Sequence, residues 1–143
     1  MPGVALELGL GNGRSYDHLR SLLPDREIYV FDRQVACHPS CRPEVQYLFL
    51  GEMTETLRQA AEKIRCKAVL IHLDVGSGDG TETERNVAAL EPTLLALCAP
   101  GAALVSDQPL LGLMHKKLVR PLPLPPGVAP GRYFLYRVLS PDR

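Results

Sequence analysis

The sequence predicts an α/β fold: a mostly parallel seven-stranded sheet with helices on both faces, ending in an antiparallel hairpin. Three observations predict it. Short apolar runs rich in β-branched residues alternate with amphipathic stretches and breakers, the pattern of βαβ units. The run KAVLIHLD at 67–74 is nearly continuous apolar sequence, as expected of a central parallel strand covered on both faces. Near the end, a proline-bearing run at 119–124 precedes RYFLYRVL at 132–139. Proline is tolerated in an edge strand and not in a central one, so the two runs read as a terminal hairpin.

The bulk numbers bound the function. At 143 residues the chain is expected to form one domain, 1–143, able to bury a real core. It carries 16 basic and 16 acidic residues for a formal net charge of zero, so no basic excess points to a nucleic-acid partner. No apolar run approaches the ~18 residues of a membrane span and no signal-peptide pattern opens the chain, so the expectation is a cytoplasmic protein without a membrane partner. Four cysteines, at 37, 41, 66 and 98, are too few and too scattered for a disulfide scaffold. Cys66 and Cys98 lie in apolar sequence and read as small core residues. Cys37, His38 and Cys41 put three potential zinc ligands within five residues. A structural zinc site takes four ligands, usually in two separated pairs, and no second pair lies nearby, so the segment reads as a loop.

Taken in order, residues 4–8 form the first strand, and Ser15 caps a helix that Pro24 ends near residue 23. Residues 27–32 (EIYVFD) form the second strand, a loop follows over 33–43, and a short third strand lies near 46–50. Helical spacing runs through 52–65, and residues 67–74 form the fourth strand, which exits into the glycine-rich loop 76–80. Thr81 and Glu84 make a T-x-x-E capping box for a long helix to about residue 98. Pro100-Gly101 turns the chain into a fifth strand at 102–106. Residues 110–119 have helical character, and the hairpin closes the domain. No internal repeat is present.

The chemistry concentrates at Glu7-Leu8-Gly9-Leu10-Gly11-Asn12-Gly13. A strand, a glycine turn and a helix N-terminus make a place where backbone N–H groups face a ligand. Gly9, Gly11 and Gly13 let the chain turn tightly and approach that ligand. Glu7, at the strand end, is placed to reach the ligand through water or to orient the turn. Asp32 ends the second strand 19 residues after Gly13, close to the ~20-residue spacing at which an acid receives ribose hydroxyls. At the tips of the fourth and fifth strands stand Asp74 and Asp107, the latter followed by Gln108.

The E-x-G-x-G-x-G form resembles motif I of the class I S-adenosyl-L-methionine (SAM) dependent methyltransferases, not the G-x-G-x-x-G of dinucleotide sites. Gly51-Glu52 resembles the acidic element that borders adenine in that class, and LCAPGA at 97–102 resembles its Leu-x-Pro-Gly-Gly turn. VALELGLGNGRSYDHLR, VFDR with ACHP, and LVSDQPL with GRYFLYRVL are together similar to a small bacterial family of SAM methyltransferases. The resemblance spans nearly the whole chain and implies a Rossmann-like three-layer sandwich that binds SAM and methylates a small molecule. It assigns cofactor contacts to Glu7, Gly9, Gly11, Gly13, Asp32, Glu52 and Asp74. Members of that family begin with a helical segment before the first strand. This sequence opens on the strand, so the expectation is a domain lacking that cover, with a homodimer as one way to shield the exposed site.

Asp107 and His115 are the candidate catalytic residues, His115 as general base on the segment after the fifth strand. His18 is expected near the pocket mouth, and His72, alternating with apolar neighbours, reads as a satisfied core residue. Asp74 with Asp107-Gln108 resembles the Mg²⁺ site of catechol-type O-methyltransferases, with Gln in place of Asn. The preferred reading has no metal: Asp74 binds the methionine amino group and Asp107 caps the segment that follows. Two other readings remain open on the residues. One is a nicotinamide-dependent Rossmann oxidoreductase, which the glycine spacing and the hairpin oppose. The other is a SAM-binding protein without turnover.

Overall fold

The computed structural model describes residues 2–10, 13–35, 37–64, 67–76 and 79–140. Seven strands form one sheet: β1 (Val4–Leu8), β2 (Ile28–Asp32), β3 (Leu48–Leu50), β4 (Ala68–Leu73), β5 (Cys98–Ser106), β6 (Val119–Leu122) and β7 (Phe134–Val138). Four helices connect them: α1 (Arg14–Leu22), α2 (Met53–Lys63), α3 (Gly80–Leu97) and α4 (Leu111–His115). The strand order is β3-β2-β1-β4-β5-β7-β6. β1 to β5 pair in parallel, and β7 runs antiparallel between β5 and β6. The order reverses between β1 and β4, and in open α/β sheets such a switch point leaves a crevice beyond the carboxyl ends of the strands.

Alternation along each strand sends two sets of side chains to two cores. Leu6, Leu8, Phe31, Ile71, Leu73, Leu104 and Tyr136 pack with Leu57 of α2, Leu90 and Leu94 of α3 and Leu113 of α4. Ala5, Ile28 and Val30 pack on the other face with Tyr16 and Leu19 of α1 and with Cys37. Phe31 stacks on Phe49 of β3 with ring centroids 4.9 Å apart. Tyr136 is buried to 2% exposure and its hydroxyl accepts the Leu110 N–H at 3.1 Å, so the hairpin is tied to the start of α4. On that face Leu48 of β3 and Leu70 of β4 pack against the same cluster, and farther along the sheet Val105 and Leu135 are half-buried.

The hairpin falls where expected, with Pro121 on the edge strand β6. Several boundaries differ, each for a local reason. Gly13, in the left-handed region at φ 87°, is the N-cap of α1, and Ser15 lies inside the helix. Asp79 caps α3 by accepting the Glu82 N–H at 3.1 Å, so Thr81 and Glu84 lie inside that helix and their capping box is unused. β5 begins at Cys98: Pro100 and Gly101 sit in a register shift against β4 rather than in a turn before the strand. α3 also carries Pro92 in its interior, a residue that removes one helical hydrogen bond. Only Leu111–His115 of 110–119 is helical, and Lys117, at φ 58°, reverses the chain into β6. Cys66 lies outside the described residues.

Candidate functional site

A cavity of about 430 Å³ opens at the carboxyl ends of β1, β2 and β4. Its wall includes Gly9 after β1, Asp32 and Arg33 after β2, Glu52 and Met53 at the start of α2, Asp74 and Gly76 after β4, and Glu82, Asn86 and Leu90 along α3. The switch point therefore forms the crevice its topology requires.

Backbone contacts set the turn. Gly9, at φ 93°, holds its N–H on the Phe31 carbonyl at 2.8 Å. A Cβ there would overlap the Asp74 carbonyl oxygen, so β1 and β4 can approach only if this residue is glycine. Leu10 donates its N–H to Asp32 Oδ2 at 2.9 Å, and Asp32 Oδ1 accepts the Arg33 N–H at 2.7 Å. The carboxylate thus fixes the glycine turn from across β2 and stands at the cavity wall. Gly11 lies outside the described residues. Gly13 closes the turn, its N–H on the Leu10 carbonyl at 2.9 Å. It packs against Cys37 and Cys41 and does not line the cavity.

Glu52 caps α2, accepting the Thr54 and Glu55 N–H groups at 3.1 and 3.2 Å and the Thr54 hydroxyl. The Thr54 hydrogen bonds, chief among these, hold its carboxyl below the usual range. Asp74 behaves oppositely. Desolvation first, then the charge of Asp107 and a hydrogen bond with it, push the Asp74 carboxyl above its ordinary 3.8. Asp107 reaches back from β5: its oxygens accept the Val75 N–H at 3.2 Å and the Gly76 N–H at 2.9 Å. It therefore shapes the β4 exit instead of capping the segment after it. That cap falls to Ser106, whose hydroxyl accepts the Gln108 N–H at 3.0 Å.

Two expectations are corrected here. Glu7 does not line the cavity: it is fully buried, and Oε1 lies 2.7 Å from Nδ1 of His72, its register partner on β4. Oε2 has no hydrogen-bond partner among the described residues. Burial raises the Glu7 carboxyl, and the hydrogen bond to Glu7 raises His72. His72 is thus the satisfied core residue expected. The second correction concerns the candidate bases. His115 ends α4 exposed, His18 is exposed on α1, and neither lines the cavity. The sequence reading also missed Glu82, Asn86 and Leu90. Their i, i+4, i+8 spacing places them on one face of α3, but only the fold turns that face to the cavity.

The donor set favours a cation. Among the described residues, Asp32, Glu52, Asp74 and Glu82 line the cavity against a single cationic side chain, Arg33. The pyrophosphate of a dinucleotide would meet repulsion there, whereas a ligand bearing a sulfonium and an ammonium would be attracted. Met53, Val75 and Leu90 supply apolar surface for a base. Among the described residues no three His, Cys, Asp or Glu side chains converge where a metal ion could sit, and no helix is long and apolar enough to cross a membrane.

The profile of the S-adenosyl-L-methionine methyltransferase family matches residues 1–138. The chain belongs to this family. It is a SAM-dependent methyltransferase, and SAM is its cofactor. It is 39% identical to a S-adenosyl-L-methionine methyl transferase from Silicibacter pomeroyi, over 96% of this chain and 82% of that one, with a TM-score of 0.87. Human methyltransferase-like protein 13, in complex with SAH, shares the fold at 15% identity and a TM-score of 0.63, over 100% of this chain and 74% of that one. The antibiotic-resistance methyltransferase Kmr does so at 12% identity and 0.60, over 97% and 87%. No curated protein matches the sequence. The acidic lining, which includes Asp32, Glu52 and Asp74, suits the charge of the SAM this family uses.

Proposed function

We propose that the methyltransferase holds SAM in the cavity beyond β1, β2 and β4 and methylates a small-molecule acceptor without net negative charge, in the cytoplasm. The observation that carries this reading is the excess of carboxylates on the wall, Asp32, Glu52, Asp74 and Glu82 against Arg33. In it, Asp32 receives the ribose hydroxyls, Glu52 borders the base, Asp74 takes the ammonium, and Gly9 lets the chain pass close to the ligand. When bound, SAM supplies an electrophilic methyl on sulfur, chemistry that needs alignment and exclusion of water more than covalent help. Asp107 is a positioning residue here: its oxygens hold backbone N–H groups of the β4 exit, and, unlike Asp32, it does not line the cavity. Glu82 and Asn86, exposed on α3 at the cavity rim, are the polar groups nearest an entering acceptor. Three free thiols among the described residues suit a reducing compartment.

Turnover tests the reading: release of S-adenosylhomocysteine is followed over a panel of neutral, cationic and anionic small acceptors. The expected substrates lie among the neutral and cationic compounds, and turnover confined to phosphorylated or polycarboxylate acceptors would contradict the charge argument.

Asp74 adds a pH dependence. Its carboxyl is raised in the free protein, and an ammonium beside it favours the ionised form. Binding should therefore release a proton between the bound and free values, so affinity rises with pH through that window and levels off above it. Calorimetry in buffers of different ionisation enthalpy measures the proton count. Asp74→Asn should abolish the release, and an unchanged count would remove Asp74 from the ammonium site.

A further inference from the structure

Cys37 and Cys41 flank the third glycine of the turn. A Cβ placed on Gly13 would lie 2.8 Å from the Cys41 Cβ and 2.9 Å from the Cys37 Cβ. The two cysteine Cβ atoms are thus separated by at most the sum of two such contacts, within a small shift of the ~3.5–4.5 Å that a disulfide takes. The Cys37 thiol points across the gap to the Cys41 carbonyl oxygen at 3.7 Å. Between them the chain makes a 3-10 turn, Pro39–Cys41, a short loop that can close without disturbing the sheet. Cys37 is buried and Cys41 half-buried, so an oxidant meets Cys41 first. Ser40 Oγ lies 3.8 Å from Cys41 Sγ and 2.7 Å from Nδ1 of the exposed His38, a chain that can carry the thiol proton outward.

We propose that Cys37 and Cys41 are a reversible redox pair, oxidised to a disulfide by a peroxide, whose closure unseats the glycine turn and weakens SAM binding. The proton of Cys41 passes through the Ser40 hydroxyl to His38. The thiolate attacks a peroxide oxygen, the O–O bond breaks, and the leaving hydroxide takes a proton to become water, which leaves Cys41 as a sulfenic acid. Cys37 sulfur then attacks the Cys41 sulfur. The S–S bond forms, the S–O bond breaks, and hydroxide departs with the Cys37 proton as a second water. The two thiols lose two electrons and the peroxide gains them. A dithiol returns two electrons and two protons. The mechanical link is direct: both cysteine side chains are the seat of Gly13, Gly13 bonds Leu10, and Leu10 bonds Asp32 at the cavity wall. Drawing the two Cβ atoms together under Gly13 displaces that series. Transient, sensing disulfides of this kind are the ones found in reducing compartments. Cys98 serves as an internal control, since burial pushes its thiol up to about 12.

The effect on affinity rests on the proposed SAM site; the cross-link does not. The whole protein is treated with hydrogen peroxide, peptide mass mapping reads the link, and calorimetry reads SAM affinity before oxidation, after it, and after dithiothreitol. The expected result is a Cys37–Cys41 disulfide with Cys98 unmodified, a SAM dissociation constant raised at least fivefold, and recovery on reduction. Cys41→Ser, and separately Cys37→Ala, should lose the response: the SAM affinity of each should be the same before and after peroxide. Sulfinic acid at Cys41 without a cross-link would overturn the proposal, and so would a disulfide that leaves SAM affinity unchanged. Failure of the reduced protein to bind SAM would instead overturn the donor-site reading, while the mass map still decides the pairing.

Discussion

His72→Ala should lower stability by about 3–5 kcal/mol, the usual cost of leaving one member of a buried ion pair without its partner. Glu7 is fully buried, His72 has a side-chain exposure of 14%, and Oε2 of Glu7 has no partner among the described residues to take over when His72 is removed. At roughly 2–4 °C per kcal/mol for a domain near this size, the melting temperature should fall by on the order of 10 °C. The pH dependence has a definite sign. His72 is raised above its ordinary 6.5 by the hydrogen bond to Glu7. Its contribution is fully present below pH 6.5 and is lost as pH rises through the raised value. Glu7 is raised above 4.5 by burial. The unfolded chain gives up that proton near 4.5 while the folded chain keeps it, so stability also declines from pH 4.5 up to the raised value. Chemical denaturation across pH should therefore show stability falling on the alkaline side in the wild type. The part that falls above pH 6.5 should be absent from His72→Ala. A variant as stable as the wild type at pH 6 would mean that the pair is not a structural unit.

Gly9→Ala should damage the fold and the site together. Alanine at φ 93° is strained by about 1–3 kcal/mol before any contact is counted. The new methyl group would also overlap the Asp74 carbonyl oxygen, which is backbone and cannot rotate away. Relief requires the tips of β1 and β4 to part, which carries Asp74 away from the cavity. The expected result is a lowered melting temperature and SAM affinity reduced at least tenfold, about 1.4 kcal/mol. Full SAM affinity in Gly9→Ala would show that close approach at this point is not needed.

The β-rich half of the fold was legible because its signals are local. Apolar runs, breakers and the proline-bearing edge placed all seven strands and put the hairpin at the end. Helix starts were less legible, since two acceptable caps stood near each other in sequence. Gly13 takes the N-cap place ahead of Ser15: it adopts the left-handed conformation at φ 87°, and Cys37 and Cys41, distant in the chain, leave no room there for a Cβ. Asp79 likewise precedes the T-x-x-E box and captures the helix first. At the site, Asp32 and Asp74 were readable from their places at strand ends. Glu7 looked like a ligand contact because sequence gives its position on the strand and not the face it points to. Alternation sends it to the His72 side. The contribution of α3 was hidden because a helix face acquires meaning only once the sheet fixes what it looks at.

In the proposed reading an acid-lined crevice at the switch point holds a cationic methyl donor, anchored by Asp32. Isothermal titration of the wild type and Asp32→Ala with SAM, and of the wild type with NAD, tests it most directly. The expected result is SAM binding by the wild type, no measurable NAD binding, and a loss of about 1–3 kcal/mol in Asp32→Ala from the broken hydrogen bonds to a charged acceptor. Tight NAD binding, or equal SAM affinity with and without the Asp32 carboxylate, would contradict it.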